Sequence, residues 1–171
     1  MGVRVWVSRL EAPWGPVWVG STDRGVCGLS LREGRTGLEK DLKSRRPCEF
    51  REDQGANKSA MAQIMEYLAG QRRAFHVSLD PWGTDFQQRV WSALLEIPYG
   101  ETRSYREVAA ILGCPRGARA VGGAVGSNPV PIFIPCHRVV RSNGGLGGFG
   151  AGLDIKEHLL ELESQKPWGA R

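Results

Sequence analysis

Residues 131–140, Pro-Ile-Phe-Ile-Pro-Cys-His-Arg-Val-Val, set one problem that any fold of this chain must solve. The run from Ile132 to Ile134 and the pair Val139–Val140 demand burial, yet a thiol, an imidazole and a guanidinium sit between them. Such groups are costly to bury unless they are paired or chemically used. Thiolate is the reactive form of cysteine, and neighbouring cations lower the pKa that controls it. The decapeptide therefore predicts one nucleophilic sulfur, Cys136, at the wall of a core. A buried, inert cysteine beside a chance His-Arg pair is the plain alternative.

A chain of 171 residues can bury a real core as one domain or two small ones. Its net charge of +5 permits a polyanionic partner without requiring one. Placement is more telling: Arg103, Arg106, Arg116, Arg119, Arg138 and Arg141 face only Glu101 and Glu107 in the same stretch. Arginine suits phosphates and stacking on bases, although a solvated basic face has the same composition. No basic start leads into a hydrophobic core and no apolar run reaches bilayer length. A cytoplasmic protein is expected, nuclear if its source has a nucleus, with no membrane partner. Cys27, Cys48, Cys114 and Cys136 show neither CxxC spacing nor a dense secreted pattern, and the histidines are His76, His137 and His158. No metal and no cofactor are expected, and a Cys27–Cys48 disulfide is left open.

The N-terminal part reads as strand and turn. Val3, Val5 and Val7 alternate with Arg4, Trp6 and Ser8, the period of a half-buried strand. Ala12–Pro16 interrupts it, Val17–Val19 begins a second strand, and a turn at Asp23–Gly25 leads to a third over Val26–Leu31. Three antiparallel strands are expected, followed by a loop or short helix over 33–55. Asn57 then caps a helix ending at Gly70 with Ala60, Ile64 and Leu68 on one face. The texture changes near Leu79–Gly83, which places domains at 1–80 and 81–171. Thr84 caps a helix burying Phe86, Val90, Ala93, Leu94 and Ile97. Ser104 with Glu107 makes a capping box before another helix. Gly113 ends that helix, and Pro115 suits the first turn of the next. Helix, short turn, helix is the spacing of a helix-turn-helix.

The second helix of that pair, Gly117 to Gly126, is nearly free of side-chain bulk. Glycine weakens a helix by about 1 kcal/mol relative to alanine, so the composition needs a cause. Either a neighbouring helix packs closely, or another backbone such as DNA approaches, with Arg119 the one long polar group. A slender helix suits a narrow groove better than base-edge readout in the major groove. Asn143–Gly152 is glycine-rich, but no Gly-Lys-Ser/Thr follows, so it is not a nucleotide P-loop. Asp154 opens a last helix with Ile155, Leu159 and Leu162 inward and Glu163 at the edge of that stripe, where exposure is the ordinary outcome.

The C-terminal ninety or so residues resemble the O6-alkylguanine-DNA alkyltransferases, the methylated-DNA–protein-cysteine methyltransferases. The resemblance rests on Thr84-Asp85-Phe86-Gln87, Val90-Trp91, Ile97-Pro98-Tyr99-Gly100, Ser104-Tyr105, Arg119–Gly122, Asn128-Pro129, Pro135–Val140 and Leu146–Phe149, in family order and spacing. The N-terminal half matches loosely, through the Pro-Trp-Gly-Pro strand pair. The resemblance implies an α/β RNase H-like N-terminal domain with a small antiparallel sheet. A mainly α, winged-helix-like helix-turn-helix domain carrying the active site would follow it. The implied activity is single-use repair: Cys136 takes an alkyl group from O6 of guanine, and also from O4 of thymine, in double-stranded DNA, with the protein acting as a monomer.

The roles implied by the resemblance are specific. His137, oriented by Glu163, activates the thiol through a water; Asn128 braces the turn; Tyr105 donates toward N3 of the leaving guanine and sits at a backbone phosphate. The base is flipped out of the duplex, which costs a few kcal/mol of unstacking, and Arg119 fills the gap. Ser104, Arg116, Ala120, Gly122 and Gly123 complete the DNA-facing set. Val139, Phe149, Gly150 and Pro131 line the pocket, where main-chain groups of Cys136, Val139 and Gly150 read the guanine edge. Phe149 brings no hydroxyl, Ala151 narrows a position often held by glycine, and Gly126 stands where some relatives are basic. Three other classes compete. A cysteine hydrolase would turn over, a transcription factor would need more polar side chains on 117–126, and a lesion sensor would lack the nucleophile.

Overall fold

The computed structural model describes residues 1–166, and the chain divides into two compact units. One comprises Met1–Trp82 with Pro129–Pro131; the other comprises Gly83–Asn128 and the chain from Ile132 onward. The sequence reading sets the boundary after residue 80. By packing, the first unit runs on to Trp82 and takes back a short stretch that follows Asn128.

In the first unit β1 (Val3–Ala12), β2 (Gly15–Thr22) and β3 (Gly25–Ser30) form successive antiparallel hairpins. Of the loop or short helix expected over 33–55 the structure has the helix, and it adds a strand that the expectation lacked. A twelve-residue helix, α1 (Gly34–Arg45), leads into β4 (Cys48–Glu52), which pairs parallel to β1. The sheet is therefore four-stranded and mixed, in the order β3-β2-β1-β4. Val5, Val7, Cys27, Leu38, Leu42 and Trp82 form its core cluster. Only Leu38 and Leu42 of α1 are buried, and the sheet makes room for them at Gly28, where a Cβ would lie 2.6 Å from a Leu38 methyl carbon. The outer edge of β3 is covered by residues 78–80: Val26 N donates to Ser78 O at 2.9 Å and Asp80 N to Val26 O at 2.8 Å. That cover leaves less of the edge open to pairing with another chain.

Asn57 precedes α2 (Lys58–Leu68) but does not cap it with its side chain. Its amide instead donates to Trp6 O at 3.1 Å and Ser8 Oγ at 2.8 Å, tying the helix start to β1. Ala60 and Ile64 are buried as expected, while Leu68 is half-buried and Tyr67 takes the inner place. Cys27 and Cys48 are both free thiols. They lie on opposite edge strands with two strands between, on the order of 14 Å at the usual strand spacing, beyond disulfide reach.

The second unit begins with α3 (Asp85–Leu95), whose N-terminus carries a full capping box between Thr84 and Gln87. Val90, Trp91, Leu94 and Ile97 are buried, whereas Phe86 and Ala93 are half-buried. After the short strand β5 (Arg103–Ser104), α4 (Tyr105–Ile111) starts with a second capping box, Ser104 with Glu107. Pro115 does not begin the next helix. It lies in a turn closed by Gly117 N donating to Cys114 O at 2.7 Å, and α5 (Ala118–Gly126) follows. The Trp91 indole donates to Ala124 O at 2.8 Å and fastens α3 to the last turn of α5. A single 3-10 turn over Cys136–Arg138, the strand β6 (Val139–Val140) and α6 (Leu153–Ser164) complete the unit. On α6, Ile155, Leu159 and Leu160 are buried, and Leu162 is half-buried rather than inward. Among the described residues no helix is long and apolar enough to cross a membrane.

Candidate active site

The apolar run before the thiol is buried as its composition demands: Ile132, Phe133 and Ile134 are each at most 4% exposed. Ile132 holds a left-handed backbone at φ 74°, unusual for a β-branched residue. Such a conformation costs on the order of 1–3 kcal/mol and persists where surrounding packing imposes it. Cys136 opens the 3-10 turn and is 5% exposed. Directly after the turn, β6 pairs parallel to β5, Arg103 with Val139 and Ser104 with Val140. This two-residue ladder fixes the thiol segment to the chain entering α4.

Asn128 braces the approach, donating from Nδ2 to Ile134 O at 2.9 Å and hydrogen-bonding the Cys136 thiol. His137 is fully buried, with Nε2 2.8 Å from Glu163 Oε1. The edge position of Glu163 thus turns inward, its side chain 1% exposed. Arg138 grips the same carboxylate with a fork, Nε to Oε2 at 2.9 Å and Nη2 to Oε1 at 2.8 Å, and Nη1 reaches Ile97 O at 2.6 Å. Gly100 N completes the set at 3.2 Å from Oε2. A bidentate guanidinium–carboxylate pair has both charge and fixed geometry.

Burial would raise the Glu163 carboxyl, but hydrogen bonds from His137 and Arg138 and their charge outweigh it and hold it well below the usual carboxylate range. Burial lowers the His137 imidazole more than Glu163 raises it, so the ring is neutral at neutral pH. With Nε2–H directed at the carboxylate, the basic lone pair falls on Nδ1. The expectation that adjacent cations lower the Cys136 pKa is corrected. Burial pushes the thiol up, and the Asn128 hydrogen bond and the Lys156 charge offset this only in part. The resting sulfur is a thiol, so its activation needs a base. A neutral imidazole with its other nitrogen held by a carboxylate has that character.

Tyr105 is the first residue of α4. Burial pushes its phenol up, against a backbone hydrogen bond with Gly148. Gly147 lies against it: at φ 76° a Cβ there would stand 2.7 Å from the Tyr105 hydroxyl. Val139 is fully buried, Phe149 half-buried and Gly150 exposed, whereas Pro131 packs with the first unit. Arg116, Arg119, Ala120 and Gly123 are exposed, Ser104 and Gly122 half-buried. On α5 the buried residues are Val121, Ala124 and Val125. A Cβ added at Gly123 or Gly126 would meet nothing within 4 Å, and one at Gly122 would reach the Tyr105 ring only at 3.7 Å. Packing within the unit therefore does not demand these glycines.

Two residues outside the predicted site belong to this cluster. Arg138 was visible as a polar group in an apolar run, but its partner lies 25 positions away. Lys156, fully buried on α6, had no sequence signal beyond its place one residue after Ile155.

A helix-rich unit holding one buried thiol, with an imidazole–carboxylate–guanidinium cluster beside it, defines a protein built around a single cysteine nucleophile. Residues 85–165 match the family described as 6-O-methylguanine DNA methyltransferase, DNA binding domain. A Methanosarcina barkeri methylated-DNA–protein-cysteine methyltransferase is 44% identical over 90% of this chain and 94% of its own. The fold is similar to Mycobacterium tuberculosis OGT, solved in complex with DNA, with a TM-score of 0.83 and 42% identity over 96% of each chain. It is also similar to O6-methylguanine-DNA methyltransferase from the hyperthermophilic archaeon Pyrococcus kodakaraensis, with a TM-score of 0.66, 28% identity and cover of 93% and 98%. This chain belongs to the methylated-DNA–protein-cysteine methyltransferase family.

Proposed function

We propose that the protein repairs double-stranded DNA by taking the alkyl group from O6 of guanine, and from O4 of thymine, onto Cys136, once per molecule. The observation that carries this reading is the buried thiol beside a neutral His137 held by ionised Glu163. In the transfer the sulfur lone pair forms a bond to the alkyl carbon as the carbon–oxygen bond breaks. The thiol proton passes to His137 by way of a water, and the guanine leaves with the electron pair. Tyr105, at the head of α4, donates toward N3 of that base and lessens its developing charge. A thioether is a poor leaving group, so the sulfur is not regenerated and no cofactor takes part.

The second unit acts as a winged-helix-like helix-turn-helix, with α4 and α5 as the pair and the first unit an RNase H-like α/β domain. Exposed Arg119, with Arg116 and Ser104 nearby in sequence to α5 and α4, faces the duplex. Glycines 123 and 126 stand where no side chain of the unit needs the space, which favours close approach of the DNA backbone over internal packing. The flipped base then rests within the second unit, against Phe149, Gly150 and the backbone at Val139. The protein works as a monomer where the DNA is, in the cytoplasm of a cell without a nucleus or in the nucleus of a cell that has one.

The test is intact mass after incubation with a duplex carrying one O6-methylguanine, beside Cys136→Ala. One added methylene per chain, saturating at one and absent in the variant, is the expected result. Repeated product release from substoichiometric protein would move it to the hydrolases, and selective binding with no mass change to the lesion sensors.

A further inference from the structure

Lys156 takes no part in the steps above, and its surroundings are unusual for a lysine. None of its surface is exposed, whereas lysine is almost never fully buried unless paired. Its ammonium donates to three main-chain carbonyls: Val139 O at 2.6 Å, Gly148 O at 3.2 Å, and Leu146 O. An ammonium has three protons and no acceptor, so this set matches its full donor capacity.

The three carbonyls have different origins. Val139 is the first residue of β6, directly after the thiol turn, and Leu146 and Gly148 flank Gly147 in the glycine-rich loop. Gly147 is the residue packed against the Tyr105 hydroxyl, and the ammonium itself lies 6.0 Å from the centroid of the Tyr105 ring. One cation thus joins the strand after Cys136, two points of the loop and the head of α4. Glycine loses more backbone freedom on ordering than any other residue, so a loop of this composition needs a tether to hold one shape. Burial pulls the ammonium down to about 8, with the charge of Cys136 opposing that shift and Arg141 adding to it. It is still protonated at neutral pH.

We propose that Lys156 is a positioning residue that pins the glycine-rich loop 143–152 to the strand following Cys136 and so sets the wall against which the alkylated base is held. The last step rests on the alkyl-transfer reading; the pin itself does not. A buried Nζ cannot reach a phosphate, so the residue acts on the pocket and not on duplex affinity.

The experiment compares the full-length protein with Lys156→Met, which keeps the length of the side chain and removes every donor. Amide exchange of peptides over 143–152 is expected to quicken by roughly tenfold or more in the variant while α3 stays protected. In single-turnover transfer from an O6-methylguanine duplex, the limiting rate falls by about tenfold or more as the reacting atoms lose their alignment. The half-saturating duplex concentration stays within about threefold. Loop exchange like that of the unaltered protein, or a loss confined to half-saturation, overturns the proposal. Amine acylation of the unaltered protein decides the matter even if the variant does not fold. Lys156 must react far more slowly than exposed Lys58, and equal reactivity overturns the pin. If the unaltered protein transfers no alkyl group, the functional reading falls while the exchange and acylation arms still judge the pin.

Discussion

Replacing Glu163 with glutamine tests the charge cluster most directly. Both carboxylate oxygens accept from N–H groups: Oε1 from His137 and Arg138, Oε2 from Arg138 and Gly100. Whichever way the new amide turns, its NH2 meets a donor of Arg138. The less damaging orientation places NH2 at the Oε1 position, where His137 can accept only by moving its proton to Nδ1. That move removes the Nδ1 lone pair on which the proposed activation of the thiol depends. Breaking a buried ion pair by neutralising one partner costs about 3–5 kcal/mol, and a chain of this size loses about 2–4 °C of Tm per kcal/mol. A fall of roughly 6–20 °C follows from those two figures. The sign with pH is fixed by the depressed Glu163 carboxyl. Its contribution is complete above the unfolded carboxyl value of about 4.3 and is lost as pH falls through the lower folded value. The gap between Glu163→Gln and the parent is therefore widest at neutral pH and narrows below about pH 4. Urea unfolding at neutral and acid pH measures it. A loss under about 1 kcal/mol at neutral pH, or one that does not change on acidification, refutes the reasoning.

Cys136→Ser is expected to abolish transfer while retaining binding to the lesion duplex, checked by intact mass beside a mobility-shift titration. Gly147→Ala puts a Cβ 2.7 Å from the Tyr105 hydroxyl at a φ of 76°. Displacement of the loop or the ring should slow single-turnover transfer by about tenfold or more with helix content unchanged by circular dichroism. Ser104→Ala removes the 3.1 Å cap on Glu107 N and should lower stability by about 0.5–2 kcal/mol in urea titration.

What could be read from the sequence was what local chemistry dictates. The alternation from Val3 to Val7, the cap at Thr84 and the capping box at Ser104 each contain their own cause within a few residues, and each reappears in the structure. The segment 33–55 does not. α1 buries only Leu38 and Leu42 among charged neighbours, and its seat depends on the small Gly28 in a distant strand. β4 alternates half-buried Cys48 and Phe50 with charged residues over five positions, too short and polar a signal to read unaided. Asn57 looked like a cap because its type and place were right, yet Ser8 and Trp6 compete for its amide across the chain. In the site, Cys136 and His137 announce themselves by sitting in an apolar run. Arg138 and Lys156 acquire meaning only through partners brought from elsewhere, and the raised thiol pKa reflects a depth of burial that no neighbouring cation in sequence reveals.

The ladder between β5 and β6 and the hub at Glu163 also bear on when the protein becomes reactive. Glu163 meets His137 across 26 positions and Gly100 across 63. Contacts so distant in sequence are made late, after loop-closure entropy has been overcome. A chain emerging from the ribosome exposes Cys136 before α6 exists, but its imidazole then has no carboxylate to hold it and its thiol has the reactivity of any free cysteine. The pairing of His137 with Glu163 beside the sulfur is thus completed only with α6, the helix that supplies the carboxylate.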